Sequence, residues 1–540
     1  MYDHPIRWES RRSPVLSTRG VVASSQPLAT MAGIAVLQSG GNAADAAVAT
    51  AAALAVVEPG STGIGGDCFC LFYSASRGVV EAVNGSGRSP LSLTLEMAGG
   101  QAGFDPQGPH AVTVPGTVAG WADTVERFGR MPVAEVLAPA IALAEDGFPV
   151  TPIISRGWQR QEDLLRMREP AGSDLLADGR APRAGEVWRN PPIARVMRTV
   201  AEGGPDAFYK GWPARAIVEA VQMNGGCMTA DDLQAHRSTF EDPISTTYRG
   251  HTVYECPPNG QGMTALMALN ILEGFDIGST RPRSAEVLHL TIEAVRLAFA
   301  DARAYIADPA RSPVPVTAML SKRYAAERRR LISPDAAIEI ATAGRIPGGS
   351  DTVYLCAVDG EGNACSFINS NYHGFGSGIV PRDCGFSLQN RGAGFVLDPG
   401  HPNALEGGKR PYHTIIPAML TRPDGALMGP FGVMGAWNQP QGHAQAVINL
   451  VDRGMDPQGA IDEPRFSIYD DPPNGEIWVE DAIPVGTISA LAELGHPVRP
   501  ASAALRTGVV GQGQIIVRDP DTGVLWGGSD PRGDGCAIGL

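Results

Sequence analysis

Long hydrophobic runs are missing from this 540-residue sequence. The most apolar stretch, Ala43–Val57, is rich in alanine, carries Asp45 and falls short of the roughly 18 residues that a membrane-spanning helix needs, so a helix outside the membrane is expected there. The first twelve residues contain no apolar core of the signal-peptide kind, which predicts a cytoplasmic protein. An excess of positive charge is missing too. Lys+Arg number 43 against 57 Asp+Glu, a formal net charge of −14. That balance argues against nucleic acid and anionic membrane as partners, and no basic patch interleaved with aromatics offsets it. The ten histidines show no paired spacing such as His-Glu-x-x-His, so no metal site is expected. The glycine run 61–67 fits neither the dinucleotide nor the Walker spacing and precedes a strand instead of opening a helix; it reads as a tight turn, and no cofactor is expected. Eight scattered cysteines form neither a disulfide framework nor a zinc knuckle, and buried reduced thiols are the simple reading. No internal repeat is evident.

What the chain does contain is a steady alternation of helix and strand signals. Pro27–Gln38 reads as a helix stopped by Gly40 and Gly41, and Asn42 is placed to cap the helix that follows. Strands are expected at 68–73 and 79–83, then a polar glycine loop, 84–90, that offers Arg88 to a carboxylate. Residues 110–121 read as strand then helix, with Pro115 near the helix start. Helical spacing of apolar residues recurs at 134–146, 192–202, 214–223, 262–272 and 284–303, with a short strand pair inside 240–255. A charged helix and a linker fill 319–345. Beyond 378 the candidate strands are 385–389, 414–420, 427–428 and 513–518, with helices at 439–451 and 488–494. Two sheets covered by helices on both outer faces satisfy this pattern.

One stretch stands apart. Pro347, Gly348 and Gly349 break regular structure, and then Thr352 opens a short β-branched, apolar strand. Asp359-Gly-Glu-Gly-Asn363 is a turn, and Ala364 onward reads as the second strand of a hairpin. A Thr at the head of a strand after a flexible segment can attack the peptide bond before it. The product is a new N-terminal Thr whose free amine serves as base for its own hydroxyl. The plain alternative is one more β-former at a strand edge.

Several stretches carry a resemblance. Gly40-Gly-Asn-Ala-Ala-Asp-Ala-Ala-Val48, Gly63-Ile-Gly-Gly-Asp67, Val114-Pro-Gly-Thr-Val-Ala-Gly120, Lys409-Arg-Pro411, Gly528-Ser-Asp-Pro-Arg532 and the Thr352 hairpin resemble the γ-glutamyltransferase (glutathione hydrolase) family, in the same order from about residue 20 onward. The resemblance implies an N-terminal-nucleophile hydrolase fold of the α/β (α+β) class, a four-layer αββα sandwich with a mostly helical lobe in the large fragment. It also implies a proenzyme that cuts itself between Asp351 and Thr352, leaving a large fragment 1–351 and a small fragment 352–540 that together form one αββα unit. Thr352 is then the nucleophile, Ser370 the hydroxyl residue that orients it, and Gly435-Ala436 the main-chain oxyanion hole, with Ala436 where the family has Gly.

The departures from the family bear on substrate. Where γ-glutamyl enzymes hold an α-carboxylate with Arg, this chain has Ser86, with Arg88 two residues on. Where they hold the α-amine with Asp, it has Gly394. Their paired serines are His413 and Thr414, and their Asn is Tyr372. A buried α-ammonium without a counter-charge costs several kcal/mol. Arg391 and His413 favour an anion without an amine, as in the oxamate amidohydrolase-like branch that the chain resembles. The expected function is therefore an amidohydrolase for a small carboxylated amide, with Arg88, Arg391, Tyr372, His413 and Thr414 as substrate-binding residues. The expected partners are that small molecule, the two fragments of the same chain and, as a further candidate, a second copy in a homodimer. Two other functions stand beside it: a γ-glutamyl hydrolase or transferase, and an uncut, catalytically silent family member.

Overall fold

Asn42 starts the alanine-rich helix as its sequence predicts. Its side chain accepts the N–H groups of Ala44 and Asp45, and the Asp45 carboxylate accepts the Asn42 N–H, a reciprocal cap. The small side chains of Ala43–Val57 are buried on every face, so the helix lies flat against a sheet with Pro27–Gln38 packed beside it.

The computed structural model describes residues 12–99, 105–168, 170–343, 351–469, 472–501 and 509–540, with Asp351 and Thr352 described as strand backbone. The start of the chain (1–11) and the breaker segment before the hairpin (344–350) lie outside the described residues.

The sheet under those helices has seven antiparallel strands. Their order is Cys536–Gly539, Gly20–Ser24, Asp351–Asp359, Ala364–Tyr372, Asp67–Ser74, Val79–Gly85 and Thr239–Glu241. The hairpin carrying Thr352 is therefore central. A second seven-stranded antiparallel sheet faces it, built from Val15–Ser17, Leu525–Ser529, Gln512–Arg518, Leu427–Met434, Ala418–Thr421, His251–Glu255 and Ile244–Tyr248. Phe69, Leu71, Tyr354, Ile368, Ile415, Met419 and Ile516 fill the space between the sheets. Helices Gly262–Leu272 and Asn438–Val447 cover the outer face of the second sheet, which completes the αββα layering. Among the described residues no helix is long and apolar enough to cross a membrane.

Four local expectations are corrected. Residues 385–389 form no strand: Leu388 exchanges bonds with Ser377 and Ile379, and the Gln389 N–H goes to the Gly65 carbonyl, so this backbone is spent on loops. The strand expected from 414 starts only at Ala418, because His413 pairs its backbone with Asn259 and Gln261. Residues 110–114 are a 3-10 turn, Pro109–Ala111, followed by extended chain, and the helix begins at Thr117. The region 240–255 contributes three strands rather than two, and the first of them, Thr239–Glu241, joins the opposite sheet.

Candidate active site

The hairpin register breaks at its open end. Asp351 pairs with Tyr372 and Val353 with Asn369, so the single residue Thr352 is opposed by two, Ser370 and Asn371. Such a bulge ends regular pairing and re-aims the chain, and it recurs beside active sites. Tyr372 takes the strain with φ at +81°, while its N–H donates to the Ser370 hydroxyl at 2.9 Å. Gly66 allows the neighbouring chain to approach: a Cβ there would lie 2.3 Å from the Ser370 carbonyl oxygen.

Arg391 enters this corner from a 3-10 turn, Arg391–Gly394. Its Nη1 donates to the Thr414 hydroxyl at 2.7 Å and its Nη2 to the Ser370 hydroxyl at 3.2 Å. The guanidinium is wholly buried and its Nε has no hydrogen-bond partner. No carboxylate of a described residue lies within ion-pair distance of it. Burial pulls its pKa down to about 10, against the opposing influence of Tyr372 and Asp67. The structure thus brings Ser370, Tyr372, Arg391 and Thr414 into direct contact.

His413 sits one layer behind. Its Nε2 faces the Asp67 carboxylate at 3.1 Å, its Nδ1 faces the Ile415 N–H at 3.4 Å, and the Phe69 ring meets it edge-on. Burial, then Arg391 and Arg410, push its pKa well below the ordinary value, so the ring is neutral. Both ring nitrogens face protein groups. Arg88 is half-buried, and its guanidinium makes no hydrogen bond or ion pair with a described residue. It stands beside Arg410 and His236, whose pKa values it helps to depress; burial is the larger cause in both.

Gly435 and Ala436 follow strand Leu427–Met434 with φ at +126° and +54°. Their carbonyls accept from Asn438 and Gln439, whereas neither amide donates to a described residue. Two consecutive amides left open in this way form a concave donor pair suited to an oxyanion. Gln261 braces the pair, its Nε2 donating to the carbonyls of Thr414 (2.6 Å) and Ala436 (2.8 Å), while the Tyr412 hydroxyl donates to its Oε1.

Sequence reasoning missed Gln261, Asp67 and Gln389. Gln261 carries no local signal. Asp67 had one: a carboxylate at the head of the otherwise apolar strand Asp67–Ser74, directly after a glycine turn. At Gly394, where an amine-binding acid would stand, a Cβ would lie 2.7 Å from the Tyr412 carbonyl oxygen, so a side chain there requires the backbone to shift.

Residues 29–540 match the family model described as Gamma-glutamyltranspeptidase. The chain is 39% identical over 535 residues to the glutathione hydrolase-like YwrD proenzyme of Bacillus subtilis (strain 168), covering 97% of this chain and 99% of that one. It is 36% identical over 538 residues to the oxamate amidohydrolase proenzyme of Klebsiella pneumoniae, with the same coverage, 97% and 99%. Among solved structures, the cephalosporin acylase from Bacillus halodurans superposes with a TM-score of 0.91 at 43% identity, covering 100% of this chain and 98% of that one.

Proposed function

The chain belongs to the gamma-glutamyltranspeptidase family of N-terminal-nucleophile enzymes, and on that premise we propose that it cuts itself before Thr352 and then hydrolyses a small carboxylated amide. In the first step the Thr352 hydroxyl attacks the Asp351 carbonyl. The peptide nitrogen leaves as the Thr352 α-amine, and water hydrolyses the resulting ester, giving fragments 1–351 and 352–540. Relatives carrying the word proenzyme in their names support this reading.

In turnover the Thr352 hydroxyl attacks the substrate amide carbon while its α-amine takes the hydroxyl proton. The oxyanion is received by the amides of Gly435 and Ala436. The tetrahedral intermediate collapses, the leaving amine departs with the proton, and an ester on Thr352 remains. Water attacks that ester, the acid is released and the Thr352 hydroxyl regains its proton. Ser370, opposite Thr352 across the bulge, orients the nucleophile.

The observation that carries the substrate class is Arg391. It is a wholly buried cation with two hydroxyl partners and no carboxylate partner among the described residues, set against the bulge that contains Thr352. Burying an unpaired charge is costly, so an anionic substrate group is its natural counter-ion. Arg88, Tyr372 and Thr414 complete the carboxylate side of the pocket. Amine recognition finds less support: Gly394 is crowded by backbone, and the oxygens of nearby Asp67 already accept from the protein. We place the protein in the cytoplasm, since its eight cysteines are free, including Cys70 and Cys365 with sulfurs 3.5 Å apart.

A denaturing gel and two substrates test the proposal. Mature protein gives two bands, and Thr352→Ala gives one. The cut protein turns over oxamate in preference to γ-glutamyl p-nitroanilide. A single uncut band after long incubation sinks the enzyme reading, and rapid turnover of the γ-glutamyl compound alone sinks the substrate class.

A further inference from the structure

Asp67 is the first residue of strand Asp67–Ser74, paired across the ladder with Ser370, and its side chain is wholly buried. Four donors converge on its carboxylate. Oδ1 accepts the Gly87 N–H at 2.8 Å, the Gln389 Nε2 at 2.8 Å and the Gly116 N–H at 3.3 Å, while Oδ2 faces the His413 Nε2 at 3.1 Å. These donors come from four segments distant in sequence. Gly87 precedes Arg88, Gln389 precedes Arg391 by two residues, and His413 precedes Thr414. Gly116 caps the helix Thr117–Phe128.

We infer that Asp67 is the positioning residue of this pocket: one buried carboxylate fixes the spacing between the loop bearing Arg88 and the segments bearing Arg391 and Thr414. The inference rests on the reading of those three side chains as the substrate-carboxylate site.

Proton order makes the residue type specific. The Ile415 N–H points at His413 Nδ1, so Nδ1 accepts and Nε2 carries the proton. Nε2–H then donates to Oδ2. Asp67 must accept at both oxygens at once, and only an ionised carboxylate does so; Asn offers one acceptor and sets an N–H₂ against a donor on the other side. A buried carboxylate without a Lys or Arg in ion-pair contact is expensive, and a purely structural junction has cheaper solutions. Gly87 is tied to the same arrangement, since a Cβ there would fall 1.7 Å from the Val114 carbonyl oxygen, whose neighbour N–H holds the Arg88 carbonyl.

The test is Asp67→Asn in the full, self-cut protein with oxamate as substrate. The expected result is a KM raised about tenfold or more, with kcat falling by a smaller factor, because misplaced binding segments weaken capture of the carboxylate. Equal KM in the two proteins overturns the inference. Should Asp67→Asn fail to fold or cut, His413→Leu, which removes the donor facing Oδ2 together with the acceptor of the Ile415 N–H, is measured in its place with the same expectation. Independently of any substrate, the imidazole ¹⁵N resonances of the wild-type protein, assigned by loss in His413→Leu, place the His413 proton on Nε2; a proton on Nδ1 overturns the inference. If wild-type protein is cut yet ignores oxamate, the substrate reading fails while the tautomer still decides the Asp67–His413 order.

Discussion

The guanidinium carbon of Arg391 lies 4.0 Å from the centre of the Tyr372 ring, and both side chains are enclosed. A cation over a desolvated aromatic face gains about 2 kcal/mol, which partly offsets burying it. Tyr372 itself stacks on His373, whose Nδ1 meets the Asn390 side chain beside Arg391. The cation is thus held by a ring, two hydroxyls and, among the described residues, no acid, as the proposed role of meeting an anion requires.

Arg391→Met tests this. Loss of a buried cation that meets a substrate carboxylate is expected to cost about 3 kcal/mol of binding or catalysis, a fall in kcat/KM of at least about 100-fold. The melting temperature holds or rises, because a buried charge without a carboxylate partner among the described residues has been removed. A variant with unchanged kcat/KM contradicts the substrate role, and a large drop in melting temperature marks the residue as structural.

Ala436 holds a left-handed conformation at φ +54°, which costs a non-glycine residue about 1 kcal/mol or more. Ala436→Gly is therefore expected to raise stability by about 0.5–1 kcal/mol in denaturant titrations. Gly435→Ala works in the opposite direction. At φ +126° its Cβ would meet Gly511 Cα at 3.1 Å, so stability and kcat both fall. Equal effects from the two substitutions would show that the backbone path there is not constrained.

Asp67 gives a pH dependence. Burial, opposed by Gln389, Arg391 and the two backbone donors, raises its pKa from 3.8 to about 6. Below pH 3.8 the carboxyl is protonated in folded and unfolded chains alike. Between 3.8 and about 6 the unfolded chain ionises first, so this residue's contribution to stability is lost as pH rises and stays constant above about 6. The charged and titratable groups around it are Arg391, Arg410, His413, Cys68 and Tyr209. The melting temperature of wild type minus that of Asp67→Asn should decline over that window. A flat difference from pH 4 to 7 would refute the raised pKa.

Glu255 and His443, 188 residues apart in the chain, form a buried couple, Oε1 to Nδ1 at 2.7 Å. Burial raises the Glu255 pKa well above its ordinary value and lowers that of His443 to about 3, so the couple is neutral and Glu255 donates the proton. Glu255→Gln keeps a donor and should change stability by less than about 1 kcal/mol, whereas Glu255→Leu strands the ring nitrogen and costs about 1–3 kcal/mol. Comparable losses in chemical denaturation would mean that the pair is charged.

Local chemistry carried the part of this protein that is legible in its sequence. Asn42 and Asp45 lie three residues apart and close their cap within one turn, and the hairpin turn at 359–363 is closed by the Asp359 carboxylate accepting from Glu361 and Asn363. Periodic apolar residues located the helices, because a face that must be buried repeats at the period of its own element. Arg391, Ser370 and Thr414 were legible as candidates through the resemblance and through the loss of an acid at Gly394.

What only the tertiary structure decided is how distant backbone and side-chain groups are satisfied. Asp67 and His413 are 346 residues apart, and Gln261 reaches Ala436 across 175. Residues 385–389 look like a strand by composition and are not one, because Ser377, Ile379 and Gly65 take their hydrogen bonds. The bulge opposite Thr352 arises from the register of two strands, not from either one alone. Sequence determined most of the segments that become helix or strand; the closing of hydrogen bonds inside a dry core, where every donor needs an acceptor, decided the exceptions and which of its polar residues meet.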